Sequence, residues 1–234
     1  TLEFLFFNVE NNAKDIKKID IKSVNEAIQK STLRYDKGGE EHHNIISALH
    51  KSIRNSDVQA SLYWLARLLE GGEDPLFVAR RLIRVASEDI GNADPEALKL
   101  AVSVKEAVHF VGSPECKLAL AQLVIYLATS PKSNTVYRAY EEVARDINNG
   151  KIYPVPLEIR NAPTKLMKDL SYGKNYIYAH DAEEMTSTME CLPKELKGKI
   201  YYTPKDTGFE KKIRAWMDYW KVVKERIKKN SEAN

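Results

Sequence analysis

Signals that start and stop helices recur at short intervals along this chain, and they constrain its fold more than any other feature. Asp74-Pro75, Asp94-Pro95 and Ser113-Pro114 each place a capping side chain before a proline at a first helical position. Glycines stand where the intervening helices should end, at Gly71-Gly72, Gly91, Gly112 and Asn149-Gly150. Between these signals the apolar residues keep helical spacing, and no stretch alternates at period two. The pattern predicts an all-α fold, a multi-helix bundle of about seven or eight helices.

The last third of the chain has a different texture. From about Lys151 onward, prolines interrupt the sequence and tyrosines are scattered among them, which predicts a long irregular segment lying over the helical body. A final helix is predicted at residues 207–229, where large apolar residues form a narrow seam: Phe209, Ile213, Trp216, Trp220, Val223 and Ile227. The spacing leaves open whether this seam is internal core or a surface for a partner.

Composition indicates a globular chain from a reducing compartment. Of 234 residues 43% are hydrophobic, enough for a substantial core, and no signal peptide or membrane span is evident. Cys116 and Cys191 are expected to be free thiols, and Cys116 should be inert because it precedes Leu118 and Leu120 on a predicted core helix. The net charge is +3, but residues 210–229 hold eight Lys and Arg against three Asp and Glu. An anionic partner is therefore easiest to place in the last third.

Several long blocks resemble the C-terminal part of the RarA/MgsA family, AAA+ ATPases related to the Werner-helicase-interacting ATPases. The blocks are Tyr63–Pro75, Ala79–Gly91, Ala128–Asn134, Arg160–Lys168 and Tyr172–Lys174. In that family an ATPase core is followed by a helical lid and by a C-terminal helical domain that assembles tetramers. The resemblance implies that residues 1–34 are the end of the AAA+ lid domain. It implies that residues 35–234 are the C-terminal helical oligomerisation domain of a longer bacterial protein acting in replication-fork maintenance, recombination and repair.

The motifs of a nucleotide site are missing from this sequence. It contains no G-x-x-x-x-G-K-[ST] phosphate loop and no apolar strand ending in paired acidic residues. We therefore expect a piece that is not itself an enzyme and holds no cofactor, with ATP and magnesium bound elsewhere in a full-length DNA-dependent ATPase. His43 and His50 lie two helical turns apart but match no metal motif, so no metal site is predicted.

The expected function is assembly of a homo-oligomer, by resemblance a tetramer, in the cytoplasm near the nucleoid and away from any membrane. Two other functions stay open: a weak, non-specific DNA-binding module, and a clamp-loader-like collar that binds unlike subunits. Whether DNA or a single-strand-binding protein contacts this region is also open. An independent enzyme has no supporting group of residues.

Two sets of residues are candidate sites. The candidate interface lies on helices with large apolar residues on more than one side: Tyr63, Trp64, Leu68, Phe77, Arg81 and Arg84. Arg84 also stands four residues before Glu88, which favours an ion pair on a solvated face. The candidate contact with DNA or another anion comprises Lys132, with Arg160, Lys165, Lys168 and Lys174 around a predicted helix start at Pro163. Alternatively, Arg160 and Lys165 tie the irregular segment to the helical body, and Lys132 lies in a capping turn.

Overall fold

The all-α prediction is confirmed over the part of the chain that the structure describes. The computed structural model describes residue 21, residues 40–182 and residues 184–233, and these contain eight α-helices and no strand. The helices are α1 Glu40–Arg54, α2 Val58–Glu70, α3 Pro75–Val85, α4 Glu96–Val111, α5 Lys117–Thr129, α6 Thr135–Asn148, α7 Lys165–Asp169 and α8 Glu210–Ala233. The predicted domain boundary between residues 34 and 35 lies outside the described residues.

The chain divides into two compact units. Among the described residues, the first unit comprises those up to Asp89 together with Glu96–Ser130, and the second comprises Ile90–Pro95 together with those from Pro131 onward. Helices α1 to α5 belong to the first unit, and α6 to α8 belong to the second. No described helix combines the length and the apolar composition that crossing a bilayer requires.

The core of the first unit follows from the helical spacing of its apolar residues. Each of the five helices turns one apolar stripe inward, and the fully buried side chains include Leu49, Ile53, Leu68, Val78, Leu82, Leu120, Leu123 and Leu127. Helix α1 packs on α2, α2 on α5, and α4 on both α3 and α5. Burying one such side chain contributes about 1.5–3 kcal/mol, so this shared core holds the five helices together.

The predicted capping signals are partly confirmed. Asp74 caps α3, because its carboxylate accepts hydrogen bonds from the backbone N–H of Leu76 (3.0 Å) and of Phe77 (3.2 Å), with a proline in the first turn. The prediction at Ser113-Pro114 is wrong: α4 ends at Val111 and residues 113–116 form a turn, so α5 begins only at Lys117. A cap and a turn use the same residue types, and the spacing alone did not separate them.

In the second unit a long irregular segment joins α6 to α8, as predicted. It contains only the five-residue helix α7 and short 3-10 turns at Leu157–Ile159, Ala179–Asp181 and Lys194–Leu196. Helix α8 begins at Glu210 and continues to Ala233, beyond the predicted end at residue 229. Its entry requires a glycine, because a Cβ on Gly208, at φ +48°, would collide with the carbonyl oxygen of Ala93.

Candidate functional site

The structure places the candidate interface residues on helices α2 and α3 of the first unit. Tyr63 is 60% exposed, and its ring meets that of Trp64 edge to face at a centroid distance of 5.0 Å. The Arg67 guanidinium lies 5.5 Å from the centroid of the Trp64 ring and pairs with Glu41 at 2.6 Å. These contacts leave one side of α2 with a large aromatic ring open to solvent.

The other interface candidates are less available. Leu68 is fully buried, so it contributes to the core of the first unit and not to its surface, and its assignment to an interface is corrected. Phe77 is half-buried, with its ring centroid 5.2 Å from that of His42. Arg84 is exposed and its Nε atom donates to Glu88 at 2.7 Å, the ion pair that the four-residue spacing predicts.

Arg81 belongs to a charged cluster around His50 in the first unit. Arg54 binds Asp89 through two hydrogen bonds, of 2.7 and 3.2 Å. Burial, together with the positive charge of Arg81, lowers the pKa of His50 to about 4. The Nε atom of Arg81 and the Nε2 atom of His50 are both buried without a hydrogen-bond partner among the described residues. His50 is therefore held neutral at physiological pH.

Three large apolar side chains are exposed to solvent at the junction of α4 and α5. Phe110 is 91% exposed, Val111 is 53% exposed and Leu118 is 80% exposed, and they flank the turn at residues 112–116. Leu118 was expected in the core, but the buried stripe of α5 is built from Leu120, Leu123, Val124 and Leu127. A sequence signal existed, because α5 is apolar on nearly every side, more than one core needs.

Apolar side chains further along the same two helices are also exposed. Leu98 and Val102 on α4 are 42% and 45% exposed and lie four residues apart, on one face. Ile125 on α5 is 42% exposed and lies two turns after Leu118, also on one face. The first unit therefore carries apolar surface on α4 and α5 in addition to its complete core.

The basic candidates lie in the irregular segment of the second unit. The Nε atom of Arg160 donates to the carbonyl oxygen of Val155 at 2.6 Å, and its guanidinium lies 5.0 Å from the centroid of the Tyr172 ring. These two contacts of Arg160 join parts of the irregular segment to each other, and neither ties the segment to the helical body. Lys165, Lys168 and Lys174 are exposed, and none of them pairs with a carboxylate among the described residues. Lys132 is half-buried and has contacts of its own.

Glu210 is a buried carboxylate of the second unit, and no sequence motif pointed to it. It is fully buried and accepts hydrogen bonds from the hydroxyls of Ser133 (2.9 Å), Thr135 and Tyr202 (3.1 Å), and from the backbone N–H of Lys205 (2.8 Å). Burial opposes ionisation, but these hydrogen bonds outweigh it and lower the pKa of Glu210. The carboxylate joins the start of α6, residues 202–205 and the start of α8.

A second buried carboxylate, Asp146 at the end of α6, fastens the irregular segment. Lys151 (3.1 Å), Lys199 (3.2 Å) and the hydroxyl of Tyr201 (3.0 Å) surround it, and together they lower its pKa. In the described ranges no group of three or more His, Cys, Asp or Glu is placed so that it could hold a metal ion.

Comparison with known proteins assigns the chain to a family. A family model described as the C-terminal region of the MgsA AAA+ ATPase matches residues 55–221, and a model described as an AAA C-terminal domain matches residues 1–54. Replication-associated recombination protein A of Coxiella burnetii is 45% identical over 228 residues, covering 97% of this chain and 51% of that protein. The Escherichia coli K12 protein of the same name is 41% identical, with 93% and 49% covered.

The similarity extends to eukaryotes and covers only part of each relative. The ATPase WRNIP1 of Dictyostelium discoideum is 44% identical over 187 residues, which are 80% of this chain and 21% of that protein. The chain spans about half the length of the two bacterial relatives. Since the match over residues 55–221 takes in most of the sequence, the chain belongs to the MgsA AAA+ ATPase C-terminal family.

Proposed function

We propose that this chain is an assembly module that joins copies of itself, four by the family resemblance, through the helices of its first unit. The observation that carries the proposal is the exposure of Phe110 and Leu118, 91% and 80%, beside a core that the unit already completes. Contiguous exposed apolar side chains on a folded unit mark interaction surfaces. ATP hydrolysis, in this proposal, belongs to other residues of a longer protein.

The energetics favour covering this surface. Burying one Phe or Leu side chain in an interface contributes about 1.5–3 kcal/mol, and Val102 on α4 and Ile125 on α5 offer further exposed apolar area. Self-association offers a partner of matching chemistry, because every copy carries the same exposed apolar side chains on α4 and α5. Tyr63 on α2 adds an exposed aromatic ring of the kind that interfaces favour.

The test is the mass in solution, measured by multi-angle light scattering on the chain and on two double variants. We expect the unmodified chain to have four times the mass of one copy and F110S/L118S to be a monomer. The control is I152S/I200S, because Ile152 and Ile200 are comparably exposed, at 75% and 72%, but lie in the second unit. A monomeric unmodified chain, or an F110S/L118S variant of unchanged mass, would contradict the proposal.

A second candidate function is weak contact with DNA through the irregular segment. It is favoured by the exposure of Lys165, Lys168 and Lys174 within one short stretch that lacks pairing carboxylates among the described residues. Exposed lysines bind phosphates through charge alone, so binding should have little sequence preference and should weaken steeply with salt.

Fluorescence polarisation with a labelled DNA duplex separates the two functions. We expect K165E/K168E to abolish binding and to leave the oligomeric mass unchanged, because both side chains are exposed and distant in sequence from α4 and α5. The matched control is K194E/K197E, which reverses two exposed lysines elsewhere in the same segment. Equal loss of binding in both variants would show a diffuse charge effect and no site at α7.

A further inference from the structure

Helix α8 carries an apolar and basic groove that neither proposed function uses. Of the predicted seam only Val223 is buried, while Trp216 is 58% exposed and Trp220 is 37% exposed. Beside this seam lies an open groove of about 500 Å³. Met217 and Trp220 form its apolar part, and the other lining residues are Lys221, Lys224, Glu225 and Lys228 of α8 and Thr188 of the irregular segment. The groove therefore offers apolar side chains at Met217 and Trp220 and three lysines along the next two turns of the helix.

The charge of the groove argues against a second copy of α8 as its occupant. Three lysines face it against one glutamate, and residues 210–229 hold eight Lys and Arg against three Asp and Glu. Two copies of this helix laid side by side would bring like charges together, which is destabilising. A partner with carboxylates or phosphates would complement the groove.

The arrangement of the aromatic rings favours a peptide over a nucleic acid. Single strands bind by stacking successive bases on aromatic faces. Here the rings of Trp216 and Tyr219 are at 89°, with centroids 6.1 Å apart, and those of Tyr219 and Trp220 are at 69°, with centroids 5.0 Å apart. Rings packed edge to face offer no series of parallel platforms. A concave apolar pocket instead suits a single inserted side chain.

We propose that the α8 groove docks an acidic peptide segment of a partner protein. One apolar side chain of that segment enters the pocket at Met217 and Trp220, and its carboxylates pair with Lys221, Lys224 and Lys228. From Trp220 to Lys228 the helix rises roughly 12 Å, at 1.5 Å per residue. An extended peptide covers that distance with about four residues. The recognised segment is thus a short apolar stretch, one side chain of which enters the pocket, followed by a run of about four acidic residues.

The probe is a fluorescein-labelled peptide, Gly-Leu-Trp-Glu-Asp-Glu-Asp, titrated with the whole chain and followed by polarisation. We expect micromolar binding that weakens with salt, since ammonium–carboxylate pairs at a surface are screened. The K221E/K224E/K228E variant should lose at least about tenfold in affinity, because each reversed charge repels the peptide. Replacing Leu and Trp of the peptide by Ser should weaken binding similarly.

The matched control, K194E/K197E/K211E, has the same net charge, and its three lysines are exposed and outside the groove. It should bind the peptide as the unmodified chain does, and circular dichroism checks that both variants are folded. No binding of the peptide, or equal affinity in groove and control variants, overturns the proposal. The proposal is also overturned if a fifteen-nucleotide oligothymidine binds the chain more tightly than the peptide does and if the groove variant no longer binds that oligothymidine. A groove variant that also loses its oligomeric mass would identify a second copy as the occupant.

Discussion

Glu210 shows how one residue fixes an irregular segment that lacks a helical core. Its carboxylate is fully buried and is the acceptor for Ser133, Thr135, Tyr202 and the backbone of Lys205. In Glu210→Gln one carboxylate oxygen is replaced by an NH2 group, which is itself a donor and cannot accept from the donors around it. At least one hydrogen bond is therefore lost, and one buried polar group is left without a partner. We expect the free energy of unfolding to fall by about 3 kcal/mol, measured by urea denaturation. Glu225→Gln, at an exposed position of α8, is the control and should change it little.

The lowered pKa of His50 predicts that the stability of the fold depends on pH. Burial first, and then the charge of Arg81, lowers its pKa from 6.5 to about 4. Since the folded-state pKa is the lower one, the unfolded chain binds the proton more readily. This contribution to stability is complete above pH 6.5 and is lost as the pH falls towards 4. The difference of about 2.5 between the two pKa values corresponds to a loss of roughly 3 kcal/mol at most in the free energy of unfolding.

The pH dependence is measured as the free energy of unfolding from pH 7.5 to 4 in steps. We expect His50→Gln to flatten the curve between 6.5 and 4. His109→Gln, at an exposed position, should leave the curve as it is. Glu210 contributes only at the acid end of this range, because its pKa is lowered and its own effect sets in near the ordinary glutamate value of 4.5. An unchanged slope in His50→Gln would mean that His50 is not held neutral by the fold.

At the scale of the elements, capping residues should matter more than surface ion pairs. Asp74 accepts from two backbone N–H groups at the start of α3, which would otherwise lack partners. Asp74→Ala should therefore lower the free energy of unfolding by about 1 kcal/mol. Glu70→Ala removes an exposed pair with Lys117, 2.7 Å apart, and should cost less than about 0.5 kcal/mol. Thermal denaturation of both variants tests the order, and an equal loss would contradict it.

The sequence predicts the elements that depend on local signals and misses those that depend on distant contacts. The Asp74-Pro75 start and the all-α fold are local in origin and are confirmed. Leu68 and Leu118 were misplaced because α2 and α5 are apolar on several sides, and only packing decides which side faces the core. Glu210 could not be foreseen, since its partners Ser133 and Thr135 lie 77 and 75 residues away. The predicted interface and DNA contacts stay predictions.

At the scale of the whole molecule, assembly links stability to protein concentration. If folding and assembly of four copies are coupled, a tenfold rise in concentration adds about 1 kcal/mol per chain, because three association steps are shared by four chains. For a chain of this size that raises Tm by roughly 2–4 °C. F110S/L118S should show no such rise, because its exposed apolar surface on α4 and α5 is reduced, whereas I152S/I200S should keep it. Scanning calorimetry at two protein concentrations measures Tm for the unmodified chain and for both variants. If the Tm of the unmodified chain does not depend on concentration, the apolar surface of the first unit does not have the proposed role.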